Sequence, residues 1–466
     1  MKKQTSKIIP FAVLALASSL SACAGGGNND SSKQDASAES STVKDLDVSV
    51  DSSVEETLRI LVPSGNQEET TMIEKAAEAF SVYYPNVTIK TEFVTIGSYE
   101  TMVRQQMMAG SLPDIVWTNS PEYLFLIKNE IAESLDPYIE ASTKAGEFNI
   151  SDYKTDFFDM GSLNDTHYVI PRSADTVVCF YNEKLLKDAG IDASCIKNGW
   201  NWDEFKSICQ QWRTYQDGKG NTAAKGFYCC DPYLTGWNSV SYPFLRSYGG
   251  DVVGADGKCA IDCDGTRAMI NEIRDITDKG YIVRVGVDSG SSFETGSVPF
   301  CFQSAAFSHY DDRASLKGNI NVVSMPLVNA NSSPRIGAGI AGYSINAKIK
   351  TQEKKNLAWQ FLRFILTKEG QEAMADGGLN VPPIRHDMDD FTKEKWGEGY
   401  EDRNLSAYTW GDEYKITDEF LSRADVSKMN RLNLAFTDFI TNASNGRKTV
   451  DEVISTAVKA IEKALN

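Results

Sequence analysis

The sequence predicts an α/β protein of two lobes, on three observations. At 466 residues the chain is about three times a typical single domain. Its ordered part opens on alternating strand and helix patterns, the mark of α/β folds with a largely parallel sheet. Its composition, 41% hydrophobic and 24% charged, can bury a large core without metals or disulfides. The formal charge of −17 argues against nucleic acid, whose phosphates reward clustered Lys and Arg. The three histidines, His167, His309 and His386, stand singly, so a histidine-rich metal site is not expected.

The first element is an export signal. Lys2, Lys3 and Lys7 precede an apolar stretch, Ile8 to Leu20, that is broken by Pro10, Ser18 and Ser19. It is too short to span a bilayer and has the layout of a secretory signal. It ends Leu20-Ser21-Ala22-Cys23, which resembles a bacterial lipobox. That resemblance implies cleavage after residue 22 and a palmitate-type lipid anchor on Cys23, holding the protein to the outer face of the cell membrane. Residues 24–56 carry almost no large apolar side chains and cannot offset their ordering entropy, so a disordered tether over 23–56 is expected.

Order is expected from Thr57. Leu58 to Val62 reads as a buried strand, followed by a helix whose apolar face is Met72, Ile73, Ala76, Ala77, Ala79 and Phe80. Tyr84-Pro85-Asn86 stops that helix, and Val87–Phe93 alternates as a second strand. Tyr99–Ala109 is helical again with Gly110 as its C-cap, and Leu112–Trp117 opens the third strand. Farther on, Asn201 and Glu204 have capping-box spacing, and Trp200, Trp202 and Trp212 read as core around that helix.

Several segments then carry a family resemblance. AFSVYYPNVTIKTEF and YETMVRQQMMAGSLPDIVWTN are followed in order by IAESLDPYI, THYVIPRSADTVVCFYNEKLLKDAGID, GWNWDEFKSIC and PFLRSYGGD. FETGSVPF, AGYSINAKIKTQEKKNLAWQFLRFILTKEGQEAMADGG and the closing ASNGRKTVDEVISTAVKAIEKALN complete the series. Together they resemble the extracellular solute-binding proteins of family 1, the maltose-binding-protein-like receptors of ABC sugar importers. The resemblance implies a two-lobed type-II periplasmic-binding-protein fold with a ligand cleft between the lobes, closing by hinge motion. Lobe one is expected over 57–171 plus 343–395, and lobe two over 176–337 plus 396–466. The crossings are placed near Pro171–Thr176 and Gly337–Tyr343. The expected protein is a monomeric receptor, not an enzyme, that needs no cofactor and meets a carbohydrate and the transmembrane subunits of an ABC permease.

Open α/β sheets bind ligands at the carboxyl ends of their strands. A sugar needs aromatic planes for its C–H face and amide, carboxylate or guanidinium groups for its hydroxyls. Asn66 and Glu68 after the first strand, Asn119 with Glu122 after the third, and Arg172 and Asp175 at the first crossing meet those needs. Trp237, Asn238 and Tyr242 precede PFLRSYGG, where the family places aromatic platforms. Gln303, Phe307, Tyr343 and Trp410 form a second tier, with Phe307 standing where the family carries tryptophan.

Other motifs are read as decoys. Gly337-Ala-Gly-Ile-Ala-Gly342 matches GxGxxG but runs into an apolar strand instead of a helix, so close backbone approach at a crossing is the better reading. Asp256, Asp262 and Asp264 lack EF-hand spacing and read as acidic turns. Besides Cys23 there are eight cysteines without a CxxC, and their pairing is left open. A polyamine or other small-solute receptor is the alternative within the binding class. An exported glycoside hydrolase using two carboxylates is the alternative outside it; with 64 acidic residues such pairs are unavoidable, so their presence decides nothing.

Overall fold

The computed structural model describes residues 46–64, 67–119, 122–172, 175–231, 238–285, 291–304, 313–331, 333–375, 383–388 and 401–466. Cys23, Asn66, Trp237 and Phe307 lie outside the described residues, as do the side chains of Glu68 and Asp175.

β1 (Glu56–Ser64) buries Leu58, Ile60, Leu61 and Val62, as its apolar run requires. α1 (Gln67–Phe80) lays Met72, Ile73, Ala76 and Phe80 on the core. β2 (Val87–Thr95), α2 (Tyr99–Met108) and β3 (Ile115–Asn119) follow, so that β2, β1 and β3 are parallel. α2 ends on Ala109, after which Gly110 takes φ +63°, a conformation open to glycine. α3 (Glu122–Lys128) leaves the end of β3.

The chain then passes between two sheets. β4 (Ile170–Pro171) sits at the edge of the first sheet, and β5 (Asp175–Asn182) is the spine of the second. β5 pairs antiparallel with β6 (Phe300–Ser304), β7 (Ile320–Ser324) and β8 (Ile336–Gly339). From β8 the chain returns after one residue into β9 (Ala341–Ile345), which joins the first sheet between β3 and β4. β10 (Lys415–Ile416) adds to β8 in parallel. Gly339 pairs with Asp175 and Gly342 with Pro171, so the two crossings run side by side.

The GxGxxG glycines sit at this junction for steric reasons. A Cβ on Gly337 would lie 1.7 Å from the Ser239 carbonyl oxygen, and one on Gly342 would lie 2.1 Å from that of Ile170. No helix opens there, so the segment is a packing device.

α4 (Trp202–Asp217), α5 (Asn238–Ser247), α6 (Asp264–Asp278), α9 (Glu419–Ser422), α10 (Met429–Asn445) and α11 (Val450–Leu465) pack on the second sheet. α7 (Gln352–Phe364) and α8 (Lys368–Ala375) pack on the first. Asn201 and Glu204 form the expected capping box, and Trp200, Trp202 and Trp212 are buried.

Two expectations are corrected. The sheets are parallel across β2-β1-β3 and at the short β8-β10 pair only, and the strands that cross between lobes and return run antiparallel to their neighbours. The stretch 46–56, expected as tether, packs on α7: Val48 is buried, and Asn356 and Gln360 donate to the carbonyls of Asp47 and Val48 at 2.7 and 2.8 Å. The acceptors are backbone atoms, which any sequence supplies, so side-chain composition gave no sign of this contact.

Candidate functional site

The carboxyl end of the lobe-one sheet gathers several buried polar side chains. Trp117, Thr118 and Asn119 finish β3, and Tyr343 on β9 stands opposite Trp117. Trp117 Nε1, Thr118 Oγ1, Asn119 Oδ1 and the Tyr343 hydroxyl are all buried without a hydrogen-bond partner. Buried polar groups are nearly always paired, so four orphans on two adjacent strands need a reason.

A buried ion pair braces this end. Arg172, the first residue after β4, donates from Nε and Nη2 to the two carboxylate oxygens of Glu69 on α1, both at 2.8 Å. Their side chains are 4% and 5% exposed, and Gln371 on α8 donates to the Arg172 carbonyl at 3.2 Å. Two parallel charge-assisted bonds satisfy both desolvated groups and fix the mouth of the first crossing. Arg172, expected at a ligand, pairs with Glu69 in this structure. Tyr99 on α2 offers one hydroxyl proton to the carbonyls of Leu61 and Trp117, at 2.9 and 2.8 Å, and its ring meets Trp117 edge-on at 5.4 Å. Burial raises the phenols of Tyr99 and Tyr343 well above their usual value. The Glu69 charge adds to both, and Arg172 opposes it at Tyr343.

A side cavity of about 170 Å³ continues from this end between α2 and α3, lined in part by Tyr99, Glu100, Thr118, Asn119, Glu122 and Phe125. Glu122 is pushed up to about 7. Burial is the main cause, the neighbouring Glu100 carboxyl adds to it, and Arg104 opposes it.

Lobe two presents a different wall. Asn238 opens α5 and donates from Nδ2 to Asn433 Oδ1 on α10. Gln303 near the end of β6 is buried, and its Oε1 accepts the Ser304 N–H at 2.9 Å. One expected contact is corrected. Tyr242 is wholly buried: its ring lies 4.9 Å from Phe420 and 6.0 Å from Phe436, and its hydroxyl donates to Asp251 at 2.9 Å. Trp410 packs on Tyr414 at 5.5 Å and over Gly199, within lobe two. Tyr242 belongs to the core, because Phe420 and Phe436 reach its ring from far along the chain, whereas Trp410 is half-buried and packs against that core beside the nearby Tyr414.

Two carboxyls escaped the sequence reading. Asp231 accepts from the Phe293 N–H and the Tyr228 hydroxyl, both at 2.9 Å, and burial still raises it to about 6. Asp418, two residues beyond β10, is raised to about 7 by burial alone, and its Oδ1 has no partner. It stands at the N-cap of α9 yet makes no capping bond, so its sequence context, Thr-Asp-Glu-Phe, gives an ordinary helix start as the signal.

The acidic turns are accounted for by protein partners: Asp262 pairs with Arg267 at 2.7 Å, and Asp256 accepts the Lys258 N–H at 3.1 Å. Among the described residues no group of three or more His, Cys, Asp or Glu could hold a metal. The eight described cysteines are free thiols, five of them buried.

Two α/β lobes, paired crossing strands and an unsatisfied polar strand end define a two-lobed binding-protein fold. A family profile, bacterial extracellular solute-binding protein, matches residues 64–372, and the chain belongs to that family. Its members are exported receptors, not enzymes. Among the described residues no helix is long and apolar enough to cross a membrane.

Solved structures share the fold at low identity. An ABC substrate-binding protein from Listeria monocytogenes in complex with cycloalternan superposes with TM-score 0.70 at 15% identity, covering 88% of this chain and 99% of that one. A cyclic alpha-maltosyl-1,6-maltose binding protein from Arthrobacter globiformis gives 0.70 at 18% identity, with 88% and 99% covered. UgpB from Mycobacterium tuberculosis, in complex with glycerophosphocholine, gives 0.69 at 16% identity, with 87% and 98% covered.

Proposed function

We propose that this protein is the receptor of an ABC importer for an extracellular carbohydrate, an oligosaccharide, captured by closure of the two lobes. The observation that carries the reading is the set of orphaned polar atoms on Trp117, Thr118, Asn119 and Tyr343. They offer donors and acceptors of neutral character, suited to sugar hydroxyls. The structural neighbours reported above, one bound to cycloalternan and one that binds cyclic alpha-maltosyl-1,6-maltose, support the ligand class. Asn119 and Tyr343 would meet the sugar from lobe one. Asp175, Asn238, Gln303, Trp237 and Phe307 would meet it from lobe two and the crossings, with Asn66 and Glu68 at the loop after β1. Hinge motion at residues 171–175 and 339–341 would bring the two walls together for delivery to the permease.

Anchoring belongs to the same proposal. Cleavage before Cys23 and lipidation of its thiol would hold the receptor at the cell membrane. Intact-mass measurement of the membrane fraction should find a lipid-modified Cys23, and Cys23→Ser should block the modification while leaving the folded domain intact. A mature chain with an unmodified Cys23 would rule the anchor out.

Calorimetry across neutral oligosaccharides and polyamines, with product analysis of the same mixtures, tests the ligand class. A neutral sugar should bind with little salt dependence and emerge unchanged. Steep loss of affinity with salt would mark a polyamine, since charge pairing is screened. The acidic pair Glu100 and Glu122 is the feature that would favour that second reading.

A further inference from the structure

The side cavity between α2 and α3 has the build of a binding subsite. Trp117 and Asn119 stand two apart on β3, so their side chains leave the same face of the sheet. That face is the one α2 covers, since Tyr99 meets the Trp117 ring edge-on. Both residues line the cavity. Trp117 is 7% exposed and its indole N–H has no partner, and the buried Asn119 Oδ1 has none either. One is a donor and the other an acceptor.

The remaining lining divides by character. Tyr99, Val103, Val116 and Leu126 are buried and form an inner wall that closes the cavity away from the strand end. Nearer the surface, Glu122 opens α3 with its carboxylate 3.5 Å from Arg104, and Arg104 lies over the Phe125 ring, 3.8 Å from its centroid. Apolar surface is thus available for C–H groups, and a charged acceptor stands beside the two orphans for hydroxyls.

Size decides how much of a ligand can enter. A cavity of about 150 Å³ holds benzene. The volume here, about 170 Å³, takes one six-membered ring and not two. A blind cavity for one ring admits the end of a chain and refuses a ring of sugars, which has no end to insert.

We propose that this cavity is an end-reading subsite: it seats one terminal pyranose unit, whose hydroxyls bond to Trp117 Nε1, Asn119 Oδ1 and the Glu122 carboxylate. The inference rests on the carbohydrate-receptor reading and sharpens it. The receptor selects linear oligosaccharides over closed rings of the same units.

Calorimetry of the full chain with matched pairs tests this: maltoheptaose against β-cyclodextrin, and isomaltoheptaose against its seven-membered ring. For the pair that binds, the linear sugar should bind at least tenfold tighter than the ring. Val103→Phe fills the cavity from α2 and should remove that preference by weakening the linear sugar alone. Val103→Met fills it with a flexible side chain, less prone to disturb folding, and should act in the same direction. Melting temperatures show which variants are folded. Equal affinity for chain and ring would overturn the subsite and leave the receptor reading standing, as would full affinity for the linear sugar in the folded Val103 variants. Absence of binding by every sugar would overturn both.

Discussion

Two sets of buried aromatic residues, one in each lobe, treat their polar groups in opposite ways. In lobe two the indole N–H groups of Trp200, Trp202 and Trp212 donate to Ser324 O, Glu272 and Tyr228 O at 2.8, 2.7 and 2.9 Å, and the Tyr242 hydroxyl reaches Asp251. At the strand ends of lobe one, Trp117 and Tyr343 carry the same chemical groups with no partner at all. Lobe one is capable of the first behaviour, since Trp359 on α7 donates to Ser142 at 2.9 Å. The difference is therefore local to one strand end. An unpaired buried donor costs about 1–3 kcal/mol, a strain that a fold keeps where something else supplies the missing partner. Satisfied aromatic polar groups mark the scaffold, and the orphaned cluster on β3 and β9 marks the proposed cleft.

The comparison can be broken most forcefully at the brace behind the orphans. Glu69→Gln would leave Arg172 charged and buried, and should cost about 3–5 kcal/mol in urea unfolding. A loss under about 1 kcal/mol would mean that the pair is solvated and that the wall is softer than its geometry implies.

A second test uses pH. Asp418, Glu122 and Asp231 have folded values of about 7, 7 and 6, above their usual 3.8, 4.5 and 3.8. The folded state thus binds more protons than the unfolded state between about pH 4 and 7, so stability should fall as pH rises through that window and level off above it. At pH 8 Asp418→Asn should recover about 2–4 kcal/mol, with little change at pH 4. Urea titrations at the two pH values measure this, and an equal effect at both would place Asp418 in water.

The smallest effect separates the lobes most cleanly. Tyr242→Phe removes a made hydrogen bond and should cost about 1 kcal/mol. Tyr343→Phe removes a hydroxyl that bonds to nothing, so stability should hold or rise slightly while affinity for ligand falls. Equal destabilisation by the two substitutions would erase the distinction between scaffold and cleft.

The scaffold was legible in the sequence wherever periodicity is local. The apolar run of β1, the buried face of α1 and the Asn201–Glu204 capping box stand where spacing puts them. Gly337 and Gly342 were readable as close-approach residues because the strand that follows excludes a dinucleotide turn. The cleft was less legible because its decisive facts are nonlocal. Glu68 and Glu69 look alike in sequence, and only the fold brings Arg172 to Glu69 across 103 positions. Tyr242 has the sequence context of a platform, but Phe420 and Phe436 claim its ring from the far end of the chain. Val48 joins the core through backbone carbonyls, which composition does not report. Asp418 reads as a helix cap, and only its missing bond sets it apart.

One titration bears most directly on the central claim. The full chain and its Asn119→Ala variant, each titrated calorimetrically with linear and cyclic neutral oligosaccharides at low and high salt, should give a single-site isotherm for one of these sugars. Its affinity should be nearly independent of salt and should drop by about 1–3 kcal/mol in the variant, whose melting temperature stays level. Binding confined to polyamines, weakening steeply with salt and indifferent to Asn119, would contradict a carbohydrate receptor built on the orphaned end of the lobe-one sheet.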